Sequence, residues 1–169
     1  MDPIHGAQAT RSNIFELAGM SHARLDDATA IIQNRVSGYL RRKDGSLRNS
    51  MYADSSLYPA SEGAVGSIKD LAAFSAALQA NRLVKPAFMQ LMTTAYKTTN
   101  GKETNYGLGC FVREWEGKRI VGHGGWRRGA SSFFLWIPEE RLAVCVLANL
   151  EQADVKEASL AIARMMLED

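Results

Sequence analysis

The chain is short of the residue types that mark several specialised protein classes. Cysteine occurs twice in 169 residues, as Cys110 and Cys145, without CxxC spacing, so a disulfide scaffold, a redox dithiol and a cysteine-rich zinc site are set aside. Each lies in an apolar run, Gly-Leu-Gly-Cys-Phe-Val or Leu-Ala-Val-Cys-Val-Leu, and reads as a free buried thiol. Histidine occurs three times, as the isolated His5, His22 and His123, which offers no metal constellation. With 4 prolines, 14 glycines and no recurring period, collagen-like, low-complexity and solenoid architectures are excluded. No apolar run approaches the roughly 18 to 20 residues of a membrane span. The first residues lack the basic start and apolar stretch of a secretion signal, so the expectation is a chain without membrane or targeting segment, in an unassigned compartment. Charge nearly cancels, with 20 basic and 18 acidic residues, which argues against a general nucleic-acid binder. The short clusters Arg41-Arg42-Lys43 and Arg127-Arg128 lack interleaved aromatics apart from Trp126.

What is present is a chain 46% apolar and 22% charged, the composition of one globular domain able to bury a single core. Residues 1–12 carry no pattern and read as a flexible lead-in or an appended remnant foreign to the fold; 13–169 read as the domain. Ser12 stands as a cap before a brief helix that stops near Gly19. Asp44-Gly45 marks a hairpin within 35–50. Ser67 with Asp70 forms a capping-box pattern for a helix over about 68–80, with Ile68, Leu71, Ala72, Phe74 and Leu78 as its apolar stripe. A short helix follows over Pro86 to Met92. The period then changes. Phe111 to Trp115 and Lys118 to Val121 read as a hairpin across Glu116-Gly117, followed by strands over Ser131 to Ile137 and Leu142 to Leu147. The last is apolar without alternation, which suggests a central strand or burial on both faces. Asp154 and Glu157 start a terminal helix with a stripe of Val155, Ala158, Ile162 and Met165, and the pair Met165-Met166 reads as core filling. The expected class is α+β, an antiparallel sheet of at least three strands packed against helices.

The densest group of unusual residues is Gly122-His123-Gly124-Gly125-Trp126-Arg127-Arg128-Gly129. Glycine forfeits packing and chain entropy in a strand, so such a run implies a close approach of backbone or ligand. It lacks the spacing and strand-turn-helix setting of a dinucleotide loop, and no cofactor is expected.

Taken together, these pieces resemble the serine β-lactamase and penicillin-binding-protein superfamily, in its class C β-lactamase and esterase-like branch, over most of residues 13–167. Ile14-Phe15-Glu16 with Gly19-Met20 looks like its short helix with a Gly-Met ending, and Ala60 to Phe74 like its turn followed by Ser-x-x-Asp-Leu. Tyr106-Gly107-Leu108-Gly109 resembles its entry to the site side of the sheet, and His123-Gly124-Gly125 its third catalytic motif. The chain departs from the pattern at Leu17-Ala18, at Ser61-Glu62 and at Arg128. Glu62 and Arg128 read as solvated charges before they read as a pair.

The resemblance implies acyl transfer through a serine ester, which needs Ser-x-x-Lys and Tyr-x-Asn or Ser-x-Asn. Neither occurs: no lysine has serine three positions before it, and no asparagine has tyrosine or serine two positions before it. Thr94-Ala95-Tyr96-Lys97 and Thr99-Asn100-Gly101-Lys102 imitate the first spacing only. By resemblance, His123, Gly125 and the backbone N–H of Trp126 are a third-motif remnant with one arm of an oxyanion hole. The expectation is the carboxy-terminal portion of a hydrolase of esters or amides, inactive alone. The alternative is a non-catalytic module, evolved or engineered, that associates with itself or a partner. The resemblance also implies that a strand from an amino-terminal fragment lies against Leu142 to Leu147. That edge would otherwise invite a homodimer.

Overall fold

Glu116 and Gly117 both take positive φ, 51° and 73°, the backbone pair of a two-residue turn whose twist matches the strands it joins. In the computed structural model, which describes residues 8–52 and 63–168, this turn folds β5 (Phe111–Trp115) onto β6 (Lys118–Arg127). From β6 the chain meanders into β7 (Ala130–Ile137) and, through a 3-10 turn over Pro138–Glu140 with Arg141 left-handed at φ 53°, into β8 (Leu142–Ala148). All neighbours are antiparallel in the order β5-β6-β7-β8. The α+β class expected from the sequence is what the chain forms.

Strand alternation sends side chains to two faces, and a helix layer covers each. Ile120, Phe133, Leu135, Ile137 and Val144 pack against Val155, Leu160 and Ala163 of the terminal helix α3 (Val155–Glu168). On the other face Val112, Val121 and Trp136 pack with Leu78 of α1 (Ile68–Gln79), and the Phe74 and Phe134 rings meet edge to face at 6.0 Å. Leu135 and Ile137, both 0% exposed, each contribute roughly 1.5–3 kcal/mol by burial. The short helix α2 (Pro86–Met92) starts on its proline, as expected, and leads towards β5.

Two small strand pairs precede α1. The hairpin β2 (Tyr39–Arg41) and β3 (Leu47–Asn49) turns at Gly45, φ 85°, where Asp44 accepts hydrogen bonds from Ser46. This hairpin is tied to the end of β8: Tyr39 N donates to Asn149 O at 2.9 Å and Glu151 N to Tyr39 O at 2.9 Å. β1 (Arg24–Leu25) pairs with β4 (Ala64–Val65). α1 begins with the capping box read from the sequence, Ser67 Oγ accepting from Asp70 N at 3.3 Å and Asp70 Oδ2 from Ser67 N at 2.7 Å.

Five expectations need correction. The described residues are helical from Gln8 on, through a π-helical stretch, Arg11–Glu16, so Ser12 lies inside the helix and not at its cap; Gly19, φ 77°, does end it. In α1, Ile68 is 48% exposed and Ala72 is exposed, whereas Ala77 and Leu78 are buried, because the helix meets the sheet along its second half. In α3 the buried positions are Val155, Ser159, Leu160 and Ala163. Ile162 and the two methionines face outward, Met165 at 67% exposure, so the buried stripe runs one step out of phase with the expected one. β6 extends to Arg127, so the glycine run lies inside a strand and not after one. Among the described residues β8 is an edge strand of this sheet, with Leu147 44% exposed, so of the two readings of its apolar run the central position fails and cover on both faces holds.

Candidate functional site

β6 is longer than its first partner. β5 pairs with it as far as Gly122; from His123 to Arg127 it has β7 on one side and, among the described residues, no strand on the other. This length carries the glycine cluster. Gly122 is fixed by packing, since a Cβ on it would overlap the Phe134 carbonyl oxygen; one on Gly125 would make the Ser132 hydroxyl directly across the ladder turn away. Ser132 is not visible as a site neighbour in the sequence, because its role depends on strand register. Gly124 is less constrained, with ordinary contact to the Phe133 ring.

Alternation places Val121, His123, Gly125 and Arg127 on the α1 face, and Gly122, Gly124 and Trp126 on the α3 face. His123 and Gly125 are therefore together. The Trp126 side chain, 66% exposed, belongs to the opposite face, so only its backbone shares the strand with them. The His123 ring is exposed, yet held. Its Nδ1 lies 2.6 Å from the Gly124 carbonyl oxygen, and the Tyr106 ring meets it edge to face, centroids 6.1 Å apart at 82°. Tyr106 comes from the loop after α2, where it bridges Phe111 at the start of β5.

A charged cluster closes the far end of the strand. Asp26, its side chain 1% exposed, accepts from Arg35 Nη1 and Nη2 at 2.8 and 2.9 Å, from Arg127 Nη1 at 3.5 Å and from the Tyr52 hydroxyl at 3.3 Å. Arg35 also lies over the Tyr52 ring at 4.8 Å. Burial pushes the Asp26 carboxyl up, but the Arg35 hydrogen bonds and charge, with Arg127 and the Asp27 N–H, outweigh it and hold it below the usual carboxylate range. The cluster joins segments as far apart as residues 26 and 127, so no local sequence signal announces it.

The imitation of Ser-x-x-Lys does not survive. Thr94 Oγ1 donates to the Gln90 carbonyl at 2.7 Å, finishing α2, and Lys97 Nζ pairs with Glu103 at 3.3 Å. Thr98, Asn100 and Lys102 close a loop on one another. Of the matched segments, Ala60 to Glu62 lie outside the described residues, as does any pairing of Glu62 with Arg128. Both cysteines are free and half-buried.

The sequence profile of the Beta-lactamase family matches residues 6–165. The chain is similar to a D-aminopeptidase of Gluconobacter oxydans, 24% identical over 160 residues, covering 94% of this chain and 30% of that protein. It is also similar to a D-aminopeptidase of Brucella anthropi, 28% identical over 139 residues, covering 82% and 26%. Among solved structures, the octameric penicillin-binding protein homologue from Pyrococcus abyssi superposes with a TM-score of 0.77 at 21% identity, over 96% of this chain and 38% of that one. A D-stereospecific amidohydrolase from Streptomyces sp. gives 0.74 at 19%, over 91% and 46%. The chain thus spans less than a third of these curated relatives and less than half of these solved chains. With the fold shared and the profile matched almost end to end, the chain belongs to the Beta-lactamase family.

Proposed function

We propose that this chain supplies the third-motif half of a serine acyl-transfer site, and that it hydrolyses an ester or amide only when joined to a portion carrying Ser-x-x-Lys and Tyr-x-Asn. The observation that carries this reading is His123 and Gly125 on one face of the length of β6 that has, among the described residues, a strand on one side only, in a family member whose 169 residues contain neither of those motifs. An unpaired strand edge offers backbone donors and acceptors to an extended acyl group. The Trp126 N–H serves as one oxyanion donor, and the residue after a nucleophile as the other. One donor without a nucleophile leaves no route to an acyl-enzyme. D-Aminopeptidase and D-amidohydrolase relatives favour an amide of a D-amino acid as substrate.

The joining surface is the edge of β8 that has no strand partner among the described residues. Beside it a groove of about 610 Å³ runs between α1 and β8, lined by Ile68, Ser75, Gln79, Ala143 and Cys145 among others. The occupant is a strand of the nucleophile-bearing portion. The second reading, a non-catalytic module that pairs with itself, draws on the same edge, since an unpaired apolar strand is a template for any second chain.

Sequencing the DNA immediately upstream and co-expressing what it encodes separates the two. The acyl-transfer reading expects an encoded Ser-x-x-Lys and turnover of a D-amino acid amide or an aryl ester by the assembled complex alone. Absence of that motif, or a purified complex with no turnover, overturns it in favour of the module.

A further inference from the structure

The hydrogen bond at His123 decides which ring nitrogen carries the proton. Its Nδ1 lies 2.6 Å from the carbonyl oxygen of Gly124. A carbonyl oxygen has lone pairs and no hydrogen, so Nδ1 is the donor. A neutral imidazole holds one ring hydrogen; with that hydrogen on Nδ1, Nε2 presents a lone pair.

The ring is also fixed in direction. Tyr106 meets it edge to face at 6.1 Å, a geometry favoured by the quadrupoles of the two rings. Tyr106 is itself anchored on both sides. Its carbonyl accepts from Tyr96 N at 2.9 Å, its N–H donates to Thr104 Oγ1 at 3.2 Å, and the next residue, Gly107, donates to Cys110 O at 2.8 Å. A Cβ on Gly107 would overlap the Met92 carbonyl, so this loop lies hard against the end of α2. The backbone that carries Tyr106 is therefore held in place, and its ring meets the imidazole from a different element than the strand that bears it.

We infer that the neutral ring of His123 is the Nδ1–H tautomer, with Nε2 as the acceptor facing the ligand, and that Tyr106 is the positioning residue that keeps it so. The functional meaning rests on the acyl-transfer reading above; the ring geometry does not. A lone pair at Nε2 receives a hydrogen bond from a hydroxyl or an ammonium group and opposes a carboxylate. A lysine, which the family also uses at this position by resemblance, has three donors and no acceptor and would have the reverse preference. If a proton passes to Nε2, the ring becomes imidazolium with Nδ1 still bonded to Gly124, and the donor is left with its electron pair.

The test is two-bond 15N–1H correlation of the histidine rings in the 169-residue chain at a pH well above the ordinary histidine pKa of about 6.5, with His123→Gln to assign the signal. The expected result is Nδ1 protonated and Nε2 unprotonated in the wild type and in Tyr106→Phe. In Tyr106→Ala, whose site is 40% exposed and tolerant of truncation, the ring shifts towards the Nε2–H form that free histidine side chains prefer. A predominant Nε2–H tautomer in the wild type overturns the assignment, and an unchanged tautomer in Tyr106→Ala overturns the role of Tyr106. The readout needs no catalysis, so an inactive assembled complex would sink the acyl-transfer reading while leaving this result to stand or fall by itself.

Discussion

Gly38 and Gly129 meet backbone to backbone. A Cβ on Gly38 would lie 2.9 Å from the Cα of Gly129, and a Cβ on Gly129 would lie 2.8 Å from the Cα of Gly38 and from the Cβ of Ser50. This contact seats the β2–β3 hairpin on the turn that follows the site strand, and Gly129 N adds a bond to Glu151 Oε2 at 3.2 Å. Gly38→Ala forces one backbone off the other and is expected to cost about 1–3 kcal/mol in urea unfolding. Ser50→Ala removes a buried hydroxyl that has no partner among the described residues, and is expected to leave stability unchanged or raise it by up to about 1 kcal/mol. A destabilised Ser50→Ala together with a neutral Gly38→Ala would contradict this packing.

Asp26 predicts an acid-sensitive link between the site strand and the 24–52 segment. Its folded pKa lies below the unfolded value of about 3.9, so its contribution is fully present above that value and is lost as pH falls through the folded pKa. Asp26→Asn keeps an acceptor but loses the charge facing Arg35 and Arg127, and is expected to cost about 2 kcal/mol at neutral pH. In urea unfolding at stepped pH, the gap between wild type and Asp26→Asn stays level from neutral to about pH 5 and narrows below about pH 4. A gap that widens on acidification would be incompatible with a carboxylate held ionised.

Much of the architecture is legible in the sequence because its signals are local. Asp44-Gly45, Glu116-Gly117 and Ser67 with Asp70 each hold their cause within four residues, and each turn or cap forms where the sequence places it. The strand over Gly122 to Arg127 is hidden because Gly122 is imposed by the Phe134 carbonyl and Gly125 faces Ser132 on the neighbouring strand, a register effect that one strand's sequence does not carry. β8 misleads for the opposite reason. An unbroken apolar run reports that both faces are covered, by α1 and α3, and says nothing of whether an edge is paired. At the site, His123 and Gly125 are readable as a motif. Asp26, Arg35 and Tyr52 are not, since they reach the strand from loops distant in the chain.

The β8 edge gives a prediction for the isolated chain. With Leu147 44% exposed on a strand that has a free edge among the described residues, the protein is expected to self-associate at tens of micromolar, and Leu147→Lys to return it towards monomer, as charge on an edge strand opposes pairing. Sedimentation velocity reads both. A compact wild-type monomer across that range would remove the case for pairing through this edge.

Cys110 and Cys145 are expected to be poor nucleophiles. Burial pushes both thiols up from their ordinary values, which lowers the thiolate fraction at neutral pH. Labelling by an aromatic disulfide reagent should be slow on folded protein and complete in denaturant. Rapid labelling without denaturant would show that one of them is open and ionised.

On the proposed reading the chain holds half of an acyl-transfer site and no nucleophile. Intact-mass spectrometry after incubation with excess fluorophosphonate, and separately with penicillin, tests this most directly on the folded chain, with a denatured sample as control. Unmodified mass in every case is the expected result; a stoichiometric adduct confined to the folded chain would contradict it.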